Sequence, residues 1–153
     1  MSKAALFPIF AGKVGSEEID AAVDFLLVSF IIFDKLTLTM EWTIEYYSEA
    51  VEEWVMGMPA GIRARYYAIS NRMKTQGPDI GMPHVKPMGD GLYEIRAKGP
   101  EGQGRVFYCT VQAKKIIMLH GFIKKTQATP KRELDIARRR IREVKNERTR
   151  KGH

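Results

Sequence analysis

The sequence predicts an α+β fold, in which a small antiparallel sheet carries helices on its faces. Three observations predict it. Apolar residues recur at helical spacing between positions 48 and 76, three extended segments follow between positions 92 and 123, and a basic helix with one apolar stripe comes last. Helices and consecutive strands grouped in this way are typical of α+β proteins rather than of alternating α/β proteins. The predicted order is β-α-α-β-β-β-α, with two N-terminal helices and one C-terminal helix.

The first 39 residues differ in composition from the rest of the chain. They carry five acidic and three basic residues, and their apolar stretch from Ala21 to Phe33 has neither a clean helical nor a clean strand period. A chain of 153 residues has room for one core, so we divide it into an N-terminal extension, residues 1–39, and one domain, residues 40–153. The extension is either dispensable or functional, and its role is left open.

The first half of the domain predicts one strand and two helices. The alternating segment from Glu41 to Tyr46 is typical of a strand, and Ser48 is a suitable N-cap for the helix that follows. The apolar face of that helix consists of Val51, Trp54, Val55 and Met58. A second helix begins near Pro59 and ends at Gly77-Pro78. Its apolar face consists of Ile62, Tyr66, Ile69 and Met73. The proline- and glycine-rich segment 77–91 predicts mostly loop.

The second half predicts a meander of strands and a last helix. The strands are expected over Leu92–Ala97, Arg105–Gln112 and Lys115–Ile123. The glycine-rich segment 98–104 predicts a hairpin loop and not a phosphate-binding loop, because no helix follows it. A tight turn is expected at Ala113-Lys114, and the last helix opens at Thr129-Pro130. Its apolar stripe consists of Leu134, Ala137, Ile141 and Val144.

The charge is concentrated toward the C-terminus. The formal net charge is +7, and because the first 39 residues carry −2, the domain carries +9. Between Lys124 and Lys151 there are twelve basic and four acidic residues. Such a block is typical of a surface that meets nucleic-acid phosphates, but also of a solvated helix or of a surface for an acidic partner. Arg138 and Arg139, in the middle of this block, are therefore candidate contacts for RNA phosphates.

Several classes of protein lack their usual signals here. The longest apolar run, from Phe25 to Phe33, falls short of the roughly 18 to 20 residues of a membrane-spanning helix, and acidic residues precede it where a secretion signal is basic. The single cysteine, Cys109, can form neither an internal disulfide nor a cysteine-based zinc site. Nucleotide-hydrolase, zinc-protease and serine-hydrolase motifs are not found. We therefore expect a cytoplasmic protein with no membrane partner, no cofactor and no metal.

The expected strand register gathers charged side chains on one face of the sheet. If Ile95 lies opposite Val106, then Arg96 lies opposite Arg105. The shared face consists of Glu94, Arg96, Arg105, Phe107, His120, Phe122 and Lys124. Two arginines directly opposite each other repel, so the arrangement suits either a visiting anion or an ion pair with Glu94. His120 is either a base or a packed core residue.

These residues carry a resemblance to a known family. The matching series is KPMGDGLYEIR at 86–96, RVFY at 105–108, LHGFIKK at 119–125, and Thr129-Pro130 with Glu133. With this series, Met40 onward resembles the HigB/RelE-type toxins of toxin–antitoxin modules, in the branch of phage-derived toxin-like proteins. The resemblance covers about 110 of the 153 residues. It implies the same β-α-α-β-β-β-α fold that the periodicity predicts.

The resemblance also implies a function. Family members of this type cut messenger RNA in the ribosomal A site and so inhibit translation, without a metal, and a helix-turn-helix antitoxin neutralises them. By this resemblance Arg96 and Arg105 hold the scissile phosphate, with Lys124 or Lys125 beside them. The ribose 2′-OH would attack the phosphorus and leave a 2′,3′-cyclic phosphate, a step that needs a base, an acid and positive charge. The base remains open among Lys86, His120 and Lys124.

Two other functions remain open at this stage. One is a non-catalytic RNA- or protein-binding module with the same fold. The other is a basic DNA-binding protein, for which the arginine-rich last helix is the candidate recognition helix. The partners that the resemblance to the toxins implies are the ribosome, its mRNA and a cognate antitoxin.

Overall fold

The computed structural model describes residues 16–152 and divides the chain into two compact units, Met1–Met40 and Glu41–His153. Residues 1–15 of the predicted extension lie outside the described residues. The described part of the first unit is the helix α1 (Ser16–Met40). Its apolar side chains between Ile19 and Leu36 are distributed around the helix and are exposed, which explains why the sequence shows no helical period there. No helix in the described part of the chain is long and apolar enough to cross a membrane.

The second unit confirms the predicted α+β fold. Its elements are β1 (Thr43–Tyr46), α2 (Glu49–Met56), α3 (Ala60–Gln76), β2 (Val85–Gly89), β3 (Leu92–Gly99), β4 (Gly102–Val111), β5 (Lys115–Lys124) and α4 (Lys131–Lys151). The strands form one sheet in the order β1-β5-β4-β3-β2. Strands β2 to β5 pair antiparallel with their neighbours, whereas β1 pairs parallel with β5.

Strand β2 lies inside the segment that the sequence predicts to be mostly loop. Val85 is fully buried and pairs with Ile95, so one apolar side chain anchors the strand to the core. Pro87 cannot donate a ladder hydrogen bond, but β2 is an edge strand, where proline is tolerated. The loop prediction is therefore wrong for residues 85–89, because it weighed prolines and glycines without the partner strand.

Helices α2 and α3 cover one face of the sheet. The apolar faces predicted for them are confirmed, since the buried core on this side includes Val51, Val55, Met58, Ile62, Tyr66, Ile69 and Met73. Helix α2 approaches β5 closely at Gly121, where a Cβ atom would lie 2.2 Å from Cζ3 of Trp54. Only glycine leaves room for the indole ring at this position. This contact fixes α2 across the strand that also carries His120.

Helix α4 covers part of the opposite face. The core on this side consists of Leu92, Phe107, Cys109, Ile117, Leu119, Phe122, Ala137 and Ile141. Arg140 donates a hydrogen bond to the Leu119 carbonyl at 2.6 Å, and its guanidinium lies 4.8 Å from the centre of the Tyr47 ring. The Tyr47 hydroxyl in turn donates to Glu143. These contacts fix the helix on the sheet.

Candidate functional site

The strand register confirms the predicted juxtaposition of charged residues. Ile95 pairs with Val106, Arg96 with Arg105, and Phe107 with His120. The register shifts beside Phe107, since Tyr108 pairs with Met118 and Leu119 is left as an extra residue in β5. Because of this bulge, Met118 packs in the core under α2 and α3, while His120 lies opposite Phe107 on the α4 side.

Three rows of cross-strand neighbours form a surface that we call the basic face. One row joins Lys86, Glu94, Phe107 and His120; the next joins Arg96, Arg105 and Phe122; the third joins Lys98, Gln103 and Lys124. Side chains directly opposite each other have Cβ atoms about 5 Å apart, so the rows make one continuous surface. It carries five lysine or arginine side chains around a single row carboxylate, that of Glu94.

The centre of the basic face is an ion-pair cluster. The Glu94 carboxylate, 3% exposed, lies 3.5 Å from Nε of Arg105 and 3.9 Å from Nε of Arg96. Thr129 donates a further hydrogen bond to it at 3.4 Å. Arg105 also donates to Gln103 at 2.6 Å. In this conformation the two arginines therefore share a protein carboxylate, which is the ion-pair alternative that the sequence left open.

The two arginines differ in accessibility. The Arg105 side chain is 2% exposed, and burial lowers its pKa, an effect that the nearby Glu94 carboxylate opposes. Its Nε is buried without a hydrogen-bond partner among the described residues. The Arg96 side chain is 29% exposed. The Arg96 side chain is therefore accessible to a phosphate from solvent, whereas Arg105 lies beneath the surface.

His120 has a partner that the sequence did not predict. Its Nε2 hydrogen-bonds to Oε2 of Glu133, in the first turn of α4, and both side chains are mostly buried. The imidazole ring also stacks beside Phe122, with ring centres 6.4 Å apart. The matching series contains Thr129 and Glu133 only as the start of the last helix, and an acidic residue in a first turn is usually explained by the helix dipole alone. Their contacts with Glu94 and His120 had no signal in the sequence.

The remaining predicted site residues lie on the basic face, directly after β5 and along α4. Lys86 is exposed on β2 and Lys124 is partly buried at the end of β5, so both belong to the basic face. Lys125 follows the last residue of β5 and is exposed. Arg138 and Arg139 lie exposed along α4, where Arg139 pairs with Glu143 at 3.8 Å, and they do not join the rows of the sheet.

Cys109, the single cysteine of the chain, is buried on the α4 side, and burial raises the pKa of its thiol to about 11. It therefore stays protonated near neutral pH and is a poor nucleophile. Among residues 16–152 no three histidine, cysteine, aspartate or glutamate side chains cluster in a way that could hold a metal ion. The arrangement offers cations that can bind a phosphate and a histidine–carboxylate pair that can accept a proton.

One comparison with known proteins identifies a family. A family model described as phage derived protein Gp49-like (DUF891) matches residues 53–142, which run from α2 into α4 and include all of β2 to β5. No curated protein matches the chain. The matched segment exceeds half of the sequence and contains every residue of the basic face. The chain therefore belongs to the Gp49-like family of phage-derived proteins, a family associated with the toxins of toxin–antitoxin modules.

Proposed function

We propose that this protein is the toxin of a type II toxin–antitoxin module, a metal-independent and ribosome-dependent mRNA endoribonuclease of the HigB/RelE type that inhibits translation in the cytoplasm. The basic face carries this proposal, because it sets exposed Arg96 among further cations and beside a histidine–carboxylate pair. The family association supports the toxin class. The family model covers residues 53–142, which lie within residues 40–153. We therefore also propose that residues 40–153 hold the whole activity.

In the proposed reaction, an mRNA phosphate meets Arg96 first, with Lys86 and Lys124 on either side of it. The ribose 2′-oxygen attacks the phosphorus, the bond to the 5′-oxygen breaks, and a 2′,3′-cyclic phosphate and a 5′-hydroxyl result. Cations placed where charge grows on the phosphorus oxygens lower the barrier. Arg105 contributes its charge from below, where Glu94 offsets part of it. Lys86, His120 and Lys124 remain the candidates for the base.

Arg96→Ala tests this site. We expect a hundredfold to a thousandfold loss in the cleavage rate, about the effect of removing one positioned charge donor in other enzymes. The free energy of unfolding should change by less than about 1 kcal/mol, because the Arg96 pair with Glu94 is long and partly exposed. Primer extension on a ribosome-bound message measures the first quantity and urea unfolding the second.

The matched control is Arg72→Ala, which removes an exposed arginine from α3, on the other side of the sheet. It should leave cleavage unchanged. If Arg96→Ala cut the message as fast as the parent chain, the basic face would not be the site of phosphate chemistry.

Helix α4 should contribute to ribosome binding through charge. Arg138, Arg139 and Arg142 are exposed, whereas Arg140 is held by Leu119 and Tyr47. Replacing the three exposed arginines with glutamine should lower the slope of log binding constant against log salt by roughly two, since each phosphate contact contributes about 0.7 to 0.9. A titration of ribosome binding at several salt concentrations measures this slope. An unchanged slope would assign these arginines to a solvated surface.

The family association also supports a proposal about a partner. A toxin of this class has a neutralising partner, and we propose a cognate helix-turn-helix antitoxin, to be identified by co-purification with the product of the adjoining gene.

The alternative function, a non-catalytic binding module, is favoured by one observation, the engagement of both arginines by Glu94. The cleavage assay on the parent chain separates the two, because a binding module would hold the ribosome and leave the message whole.

A further inference from the structure

The contact between His120 and Glu133 joins two elements that meet only in the folded protein. His120 comes from β5, next to the bulge at Leu119, and Glu133 comes from the first turn of α4. The same helix start also reaches the ion-pair cluster, because Thr129 donates to Glu94. His120 pairs with Phe107, two positions from Arg105 on β4, so His120 and Arg105 are diagonal neighbours on one face, about 7 to 8 Å apart. The pair is therefore placed at the border of the phosphate-binding cations.

We infer that Glu133 is the positioning residue of His120, and that His120 is the group that takes the proton of the attacking 2′-OH. This inference rests on the proposed function and narrows its three candidate bases to one. Lys86 is exposed on an edge strand and Lys124 stands at a strand end. Among the three, His120 is the one with a carboxylate hydrogen-bonded to its side chain in the described residues.

The chemistry follows from the two imidazole nitrogens. In the neutral ring, Nε2 carries the proton that is donated to Oε2 of Glu133, so the lone pair is on Nδ1. Nδ1 accepts the 2′-OH proton while the 2′-oxygen forms its bond to phosphorus. The bond between phosphorus and the 5′-oxygen breaks, and the 5′-oxygen takes a proton from water. The Glu133 carboxylate stabilises the imidazolium that forms, which later releases its proton to water.

A purely structural role for Glu133 is the competing explanation, because the contact also ties α4 to the sheet. Glu133→Gln separates the two roles. Glutamine keeps the size and the hydrogen-bond acceptor but removes the charge, so a structural tie survives and stabilisation of the imidazolium does not. We expect kcat to fall about tenfold to a hundredfold, less than the roughly hundredfold to ten-thousandfold of an acid–base group itself, because Glu133 acts through His120, with KM changed less than about twofold. The thermal midpoint should remain close to that of the parent.

The double variant supplies the sharpest comparison. In a His120→Gln background, Glu133→Gln should cause no further loss of kcat, because two residues that act as one unit are not additive. The matched control is Asp135→Asn, which removes a carboxylate from an exposed position on the same helix. It should leave both kcat and KM unchanged. Single-turnover cleavage of a ribosome-bound message by the full chain provides these constants.

The outcomes separate this inference from the function on which it rests. A parent chain that cuts no message overturns the proposed function, and the role of Glu133 with it. A parent chain that cuts while Glu133→Gln keeps its kcat overturns the inference alone. Additive losses in the double variant also overturn it, since they would show that Glu133 acts independently of His120. The inference is supported if Glu133→Gln lowers kcat when His120 is present and causes no further loss in the His120→Gln variant.

Discussion

Arg105→Ala is expected to destabilise the protein by about 3 to 5 kcal/mol, the usual cost of removing one partner from a buried ion pair. Glu94 and Arg105 are both almost fully buried, and their charged groups lie 3.5 Å apart. Removing the guanidinium leaves a buried carboxylate with only the 3.9 Å pair to Arg96 and the hydrogen bond from Thr129. Urea unfolding of the variant and the parent measures the difference.

The sequence alone leaves the sign of this effect open. Repulsion between two opposite arginines predicts that alanine at position 105 is neutral or stabilising, whereas a surface ion pair with Glu94 predicts a loss of about a few tenths of a kcal/mol. The structure contains the ion pair, and its burial raises the expected loss. The paired variant Glu94→Leu with Arg105→Met removes both charges at similar volume, and it should recover most of the lost stability. Equal stability of Arg105→Ala and the parent would contradict the buried ion pair.

Phe107→Ala is expected to cost about 3 to 5 kcal/mol, as is typical of a fully buried aromatic side chain. Phe107 is the buried member of the basic face between Glu94 and His120. Its ring centre lies 5.6 Å from that of Phe122. Truncation leaves a cavity under both polar clusters. The variant should therefore lose cleavage activity as well as stability, because His120 and Glu133 lose the surface that supports them.

Two controls test whether the predicted loss of stability comes from the removal of buried apolar volume. Phe107→Leu keeps most of the volume and should cost less than about 1.5 kcal/mol. Met56→Ala removes an exposed apolar side chain from the last residue of α2 and should stay within about 0.5 kcal/mol. Calorimetric unfolding of the three variants measures the differences. A loss below 1 kcal/mol for Phe107→Ala would show that the α4 side of the sheet is not tightly packed there.

The parts of the fold that the sequence predicted are those set by local patterns. The helical spacing of apolar residues located α2, α3 and α4, and the buried residues Ala137 and Ile141 confirm the predicted stripe of α4. The short turn at Ala113 and Lys114, both with positive φ, is also confirmed. The strands close on this turn with Val111 opposite Lys115, one residue away from the pairing of Gln112 with Lys115 that a two-residue turn gives. The bulge at Leu119 restores the predicted pair of Phe107 and His120, so the predicted face is correct because the two departures cancel.

The features that the sequence did not predict depend on contacts between distant segments. Strand β2 exists because Val85 finds Ile95, and β1 is parallel because its partner is the last strand rather than the next. The bulge at Leu119 and the contact of His120 with Glu133 both arise where strand and helix dock. None of these has a period in the sequence. The charged residues and a pairing of the arginines with Glu94 could be predicted, but the burial of that ion pair and the partner of His120 could not.

The parallel pairing of β1 with β5 has a consequence for how the chain folds as it is synthesised. Thr43 pairs with Lys115, 72 positions later, and the entropy of closing a loop grows with its length. The ribosome releases the N-terminal segment first, so β1 waits unpaired until β5 has been made. The pair of His120 and Glu133 waits longer still, for the start of α4. A nascent copy therefore lacks the parallel strand pair until β5 has been made, and it lacks the contact between His120 and Glu133 until the start of α4 has been made.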